Sequence, residues 1–139
     1  MDCPLCSSTG DKIIWHDDFC RVIGVDDADY PGFCRVIWTA HVAEMTDLAR
    51  PEQAHLLDVV LATESALRTL MRPDKINLAS FGNMVPHLHW HVIPRFTDDR
   101  HFPEPVWGRE QRPGRPHAAP DVSILASTIT RKLLARNAD

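Results

Sequence analysis

The chain has 139 residues, 44% hydrophobic and 24% charged, with a formal net charge of −4 and a mean hydropathy of −0.23. That length fits one domain with a moderate core, and the acidic balance argues against a dedicated nucleic-acid binder, which carries a basic stripe. No apolar run approaches a membrane span and no charged-then-apolar leader opens the chain, so a cytoplasmic protein without a membrane partner is expected. A nucleotide-sized anion needs only a local positive pocket and stays open.

The N-terminus carries a C-x-x-C, Cys3 and Cys6. It can be half of a tetrahedral zinc site, a redox pair, or neither. A redox motif opens a helix after a strand, and no strand precedes Cys3, so zinc is the better functional reading and needs two further ligands. Cys20 and Cys34 stand alone in apolar runs and read as small buried hydrophobes. Ser7–Asp11 reads as a turn, Lys12–Trp15 as a short strand, and Cys20–Val25 as a second strand. The acidic, Pro-Gly punctuated loop from Asp26 to Gly32 leads into a third strand, Phe33–Trp38, antiparallel to the second because the connection is short. A carboxylate in that loop can accept hydrogen bonds from both hydroxyls of a ribose, or simply be solvated.

Met45–Leu48 predicts a helical turn. Pro51 suits the first position of a helix, on which Leu56, Val60, Leu67 and Leu70/Met71 recur at helical spacing until Arg72-Pro73 stops it. His55 on this helix reads as a surface residue. Lys75–Phe81 alternates as a fourth strand, and Gly82–Pro86 turns the chain back into a fifth. The fourth and fifth strands therefore form a hairpin, with Asn83 near the turn. More than half of the eleven prolines fall between Pro94 and Pro120, which predicts extended surface structure anchored by Phe102 and Trp107. A C-terminal helix follows, with Asp121 at its N-terminus and an apolar stripe of Ile124, Leu125, Ile129, Leu133 and Leu134.

The fifth strand carries the chemistry. In Pro86-His87-Leu88-His89-Trp90-His91-Val92-Ile93-Pro94 three histidines alternate with apolar residues. Period-2 alternation places them on one face of a strand, with Leu88, Trp90 and Val92 on the other, and spaces neighbouring imidazoles roughly 6–7 Å apart. Three chemistries suit such a face: a metal centre, general acid–base catalysis near neutral pH, and nucleophilic attack by an imidazole. A zinc hydrolase usually has a carboxylate close to its histidines, and this strand carries none.

The segment His87-Leu88-His89-Trp90-His91-Val92-Ile93 resembles the signature of the histidine triad (HIT) family. So do the Gly82-Asn83-x-Val85-x-His87 approach, Val25-Asp26 where the family places a ribose-binding acid, and Ile37–His41, which ends like the family's third strand. The match covers roughly Cys3 to Arg95, with Asn83 where relatives carry Gln and Met84 where many carry Ser or Thr. The resemblance implies a single α+β domain over residues 1–139: a hook at 1–10, a core at 11–96, and a proline-rich tail with a helix at 97–139. It implies a five-stranded antiparallel sheet with a long helix packed on it and a C-terminal helix.

The same resemblance implies a homodimeric nucleotide hydrolase or transferase. It would act at the α-phosphate of substrates with an AMP-like half, such as dinucleoside polyphosphates, phosphoramidates or adenylates. Carried over by position, His89 is the nucleophile, His91 hydrogen-bonds near the phosphate and holds His89 in a productive tautomer, His87 supports them, Asn83 donates to phosphate oxygens, and Asp26 holds the ribose. Some bacterial members bind a structural zinc through an N-terminal Cys-x-x-Cys and two histidines, here Cys3, Cys6, His41 and His87, and no cofactor is required for their chemistry. The alternatives are a nucleotide-binding adaptor with little turnover, or a metal-dependent hydrolase using the histidine strand.

Overall fold

A computed structural model describes residues 3–7 and 10–138. Ser8 and Thr9, in the middle of the turn expected over Ser7–Asp11, and Met1 and Asp2 of the hook lie outside the described residues. Five strands, β1 (Lys12–His16), β2 (Cys20–Gly24), β3 (Cys34–Trp38), β4 (Lys75–Ala79) and β5 (His89–Arg95), form one sheet in the order β1-β2-β3-β5-β4. Every neighbouring pair is antiparallel. β4 and β5 form the expected hairpin, and β5 is also paired to β3, so the histidine strand lies inside the sheet with a partner on each side.

One face of the sheet holds the main core. Cys20, Val22, Cys34, Val36, Trp38, Leu88 and Val92 pack there against α1 (Arg50–Met71), whose inner side presents Leu56, Val59, Val60, Ala62, Ala66 and Leu67. Removing these side chains from water is the main source of stability, on the order of 1.5–3 kcal/mol for each large aliphatic group fully buried. Burial pushes the Cys34 thiol up to about 12 and the Cys20 thiol up as well, as inert core thiols require. α1 starts with Pro51 in its first turn and with the Glu52 carboxylate accepting the Ala49 N–H at 2.8 Å. It ends at Arg72 in the left-handed conformation, before Pro73.

α2 (Val122–Asn137) packs beside α1 and is capped by Asp121, whose Oδ1 accepts the N–H groups of Ser123 and Ile124 at 2.9 and 3.3 Å. Its buried stripe is Leu125, Thr128, Ile129 and Leu133, whereas Ile124 and Leu134, expected in the stripe, are exposed. Residues four apart repeat every 400° around a helix, so 125, 129 and 133 make one narrow seam and the outer two fall beside it. Among the described residues no helix is long and apolar enough to cross a membrane.

The proline-rich tail is more ordered than its composition suggests. Asp99, 4% exposed, accepts Arg95 Nε at 2.7 Å, the backbone N–H groups of Phe96, His101 and Phe102, and the Tyr30 hydroxyl. Burial by itself would raise the Asp99 carboxyl, but these donors outweigh it and hold it at about 2. Arg112 then ties the carbonyls of Asp99 and Phe102 together, which turns the chain back over the sheet toward Trp107.

Candidate active site and metal centre

The second face of the sheet carries the candidate site. Pairing places Arg21, Ile37 and His89 in one row across β2, β3 and β5, and Ile23, Arg35, His91 and Ala79 in the next. Side chains along a strand alternate faces, so the His89 and His91 rings stand together opposite the main core. Their ring centroids are 5.0 Å apart at 82°, closer than the spacing expected from the rise of an ideal strand, because the rings lean toward one another.

Around these rings lies a cleft of about 460 Å³, lined also by Leu5 of the hook, Arg35, Phe81, Asn83 and Trp107. That is the size of a small-molecule site. Trp107 reaches in from the tail, with its ring 5.0 Å from that of His91 and 5.0 Å from that of Phe81. The connection between β4 and β5 turns at Gly82, whose φ of +74° favours a residue without a Cβ.

His89 is held in one tautomer. Its Nδ1 lies 2.6 Å from the backbone carbonyl of His87, and a carbonyl can only accept, so Nδ1 carries the proton and Nε2 keeps the lone pair. The reading that His91 sets this tautomer is therefore corrected: the backbone does it. His91 is a different kind of group. Its Nδ1 is buried without a hydrogen-bond partner, and burial, then the charges of His89 and Arg35, push its pKa down to about 4, so it is neutral at pH 7.

His87 stands apart from the other two histidines. The regular strand begins at His89, and the backbone at 87 and 88 instead bonds to Val85 and Val42, so His87 does not line the cleft. Its ring, fully buried, turns toward the hook. His87 Nδ1 lies 3.4 Å from Cys3 Sγ, 3.5 Å from Cys6 Sγ and 3.1 Å from His41 Nδ1, while Cys6 Sγ lies 3.2 Å from His41 Nδ1. The four ligand atoms all fall within 4.8 Å of one another.

This convergence fits a metal better than a hydrogen-bond cluster. His87 Nε2 donates to the Trp38 carbonyl at 2.6 Å, so in the neutral ring Nδ1 offers a single lone pair to three approaching atoms. Tetrahedral zinc, with bonds of about 2.3 Å to sulfur and 2.0–2.1 Å to nitrogen, would separate S and N ligands by about 3.5 Å and two N ligands by about 3.3 Å. The observed distances lie near those values. Burial, then the charges of His41, Arg21 and His89, push His87 toward its neutral, ligating form, against the pull of the Trp38 carbonyl. Without a metal Cys6 is pushed up, by partial burial and then by Cys3, so metal binding would have to displace a thiol proton. Arg21 pins the same hook independently, through Asp11 and the carbonyls of Leu5 and Ser7.

Of the other residues singled out in the sequence, Asn83 lines the cleft, whereas Asp26 is exposed in the loop after β2 and does not. His55 is not a free surface residue: it is half-buried, with Nε2 2.6 Å from Asp17 Oδ2. Arg35 is a cleft residue that the sequence reading passed over, and Trp107, expected only to anchor the tail, is another cleft residue. The signal for Arg35 was its alternate position in the third strand, which needs the register with β5 before it points to the histidines.

Fold and site together define a histidine-strand α+β domain. The model of the HIT domain family matches residues 8–98, and the chain belongs to that family. Among solved structures, a histidine triad protein from Bradyrhizobium japonicum superposes with a TM-score of 0.71 at 32% identity, covering 91% of this chain and 92% of that one. A zinc-bound histidine triad family protein from Mycobacterium smegmatis shares the fold at 21% identity, with a TM-score of 0.63, 99% of this chain and 97% of that one. An AP-4-A phosphorylase of Mycobacterium tuberculosis is 30% identical over 78 residues, 52% of this chain, and the match spans 40% of that relative's length.

Proposed function

We propose that the protein is a nucleotide hydrolase or transferase acting at the α-phosphate of substrates with an AMP-like half, through a nucleotidyl-histidine on His89. The observation that carries this reading is the 2.6 Å bond from His89 Nδ1 to the His87 carbonyl, in a ring that lines the cleft. It leaves Nε2 as the nucleophilic atom. Attack forms a P–Nε2 bond and breaks the bond from phosphorus to the leaving group, which departs with the electron pair. The ring then carries positive charge with its proton still on Nδ1, and the carbonyl is already placed to stabilise it. Water attacks the phosphorus next, the P–N electron pair returns to Nε2, and the proton displaced from the water leaves to solvent as the nucleotide is released. Asn83 donates to phosphate oxygens, and Asp26, exposed in the loop after β2, would hold the ribose. The AP-4-A phosphorylase relative supports a polyphosphate substrate.

Cys3, Cys6, His41 and His87 are assigned as a structural zinc site. When bound, the metal supplies a cross-link from the hook to His87, with no position left for a reacting water. Exposed apolar residues at and beyond the β4 edge, Leu78, Phe81 and Met84, support pairing with a second copy.

The test of the reaction is turnover of a fluorogenic adenosine phosphoramidate by the parent protein and by His89→Ala. Turnover in the parent, reduced by about 10⁴ in the variant while AMP still binds, supports the reading. Binding without turnover in the parent favours the adaptor, and abolition of turnover on chelation, well beyond the fall of about tenfold that loss of a structural zinc would cause, favours the metal hydrolase.

A further inference from the structure

Three arginines stand on the same face of the sheet as His89 and His91, and two of them are saturated. Arg21 donates to Asp11 at 3.1 Å and to the Leu5 and Ser7 carbonyls at 3.0 and 3.3 Å. Arg95 donates to Asp99 at 2.7 Å, to Asn77 at 2.7 Å and to the Glu104 carbonyl at 2.6 Å. Arg35 differs from both. Its Nε is buried with no hydrogen-bond partner, and among the described residues no carboxylate lines the cleft into which it is built.

A buried guanidinium donor with no protein acceptor is unfavourable, so Arg35 is poised for an acceptor that arrives from solution, a water or an anion. Arg35 is directly opposite His91 and diagonal to His89 across the β3–β5 ladder. Diagonal positions are about 7–8 Å apart, a distance that an arginine side chain spans. We propose that Arg35 is the phosphate-binding residue of the cleft, its planar fork taking the non-bridging oxygens of the nucleotide presented to His89. This rests on the nucleotide reading above and adds the charge which that reading lacks. Burial and neighbouring charges keep His91 neutral, so Arg35 is the permanent positive charge on the cleft wall. Its fork can bind two oxygens at once and is in place before charge develops in the transition state. The oxygens belong either to the phosphorus under attack or to the next phosphate of a polyphosphate leaving group.

The experiment is calorimetric titration of the full chain, its Arg35→Gln variant and its Arg35→Lys variant with AMP, adenosine and inorganic pyrophosphate, alongside thermal melts. Arg35→Gln should weaken AMP about 10–100-fold, leave adenosine within about twofold, and melt no lower than the parent, because an unpaired buried charge has been removed. Arg35→Lys, which keeps the charge and loses the fork, should fall in between and carries the comparison if the glutamine variant does not fold. Unchanged AMP affinity, or AMP and adenosine weakening together, overturns the assignment. If the parent binds AMP no better than adenosine, the nucleotide reading fails instead, and pyrophosphate decides for Arg35. Binding by the parent that is lost in Arg35→Gln supports the anion site, and equal or absent binding overturns it. Two turnover arms locate the anion, and both outcomes support the site: equal loss on polyphosphate and phosphoramidate substrates marks the α-phosphate, and loss on polyphosphates alone marks the leaving chain.

Discussion

His87 and His89 are two residues apart and belong to different worlds. His87 is fully buried beside the hook, both ring nitrogens committed, one to the Trp38 carbonyl and the other to the Cys3, Cys6 and His41 cluster. His89 has one nitrogen committed, to the backbone of His87 itself, and its ring faces an open cleft. The cluster brings four ligand atoms within 4.8 Å of one another, and the cleft leaves one nitrogen of His89 uncommitted. A saturated imidazole stabilises; an unsaturated one does chemistry. The link between the two regions is the His87 carbonyl, so whatever fixes His87 also fixes the proposed nucleophile, His89.

The comparison breaks most sharply at His89. Its replacement by Ala should reduce kcat by about 10⁴ or more and shift the melting temperature by only a few degrees, measured by steady-state kinetics and calorimetry. The cluster should respond in the opposite sense. Cys3→Ser/Cys6→Ser should lose its zinc, as read by elemental analysis of protein purified without added metal, and lower stability by about 3 kcal/mol, roughly 10 °C. Turnover should fall only about tenfold, through loosening of the His87 carbonyl. Zinc below about a tenth of an equivalent in the parent, or unchanged in the variant, would discard the site.

The tail, which brings Trp107 to the cleft, gives a third, smaller test. Asp99 in the folded protein is held at about 2, below the usual carboxylate value near 4. Its contribution to stability is therefore full above about pH 4 and is lost as pH falls from about 4 toward 2. Acid melts of the parent should steepen across that window, and Asp99→Asn should flatten them; identical profiles would remove Asp99 from the account. The smallest effect is expected at the ribose. Substrates lacking the 2′-hydroxyl should lose about 1 kcal/mol in kcat/KM, and Asp26→Asn should remove that preference. Equal kinetics for both sugars in the parent would move the ribose contact away from Asp26.

What the sequence disclosed follows the range of the physics involved. Alternation of apolar and polar residues is local, so the five strands, the long helix and the unusual character of residues 87–91 were legible. The proline after Arg72 and the acid at Asp121 marked helix ends for equally local reasons. The partition of the triad was not local. His87 leaves the strand because the chain at 87 and 88 bonds to Val85 and Val42, which period-2 patterning cannot express. Arg35 acquired meaning only from its register against His91, and Trp107 only from the Asp99 network that folds the tail back. His55 was misjudged for the same reason: its partner, Asp17, is 38 positions away along the chain.

The central claim is that His89 Nε2 becomes covalently bonded to phosphorus. Rapid alkaline quenching of parent protein turning over an adenosine phosphoramidate or a dinucleoside polyphosphate, followed by digestion and mass spectrometry, tests it directly. One AMP should be added to the peptide spanning residues 87–95, localised to His89, absent from His89→Ala and rising with substrate until steady state. An adduct on another residue, or steady turnover with no adduct under conditions that preserve phosphohistidine, would contradict it.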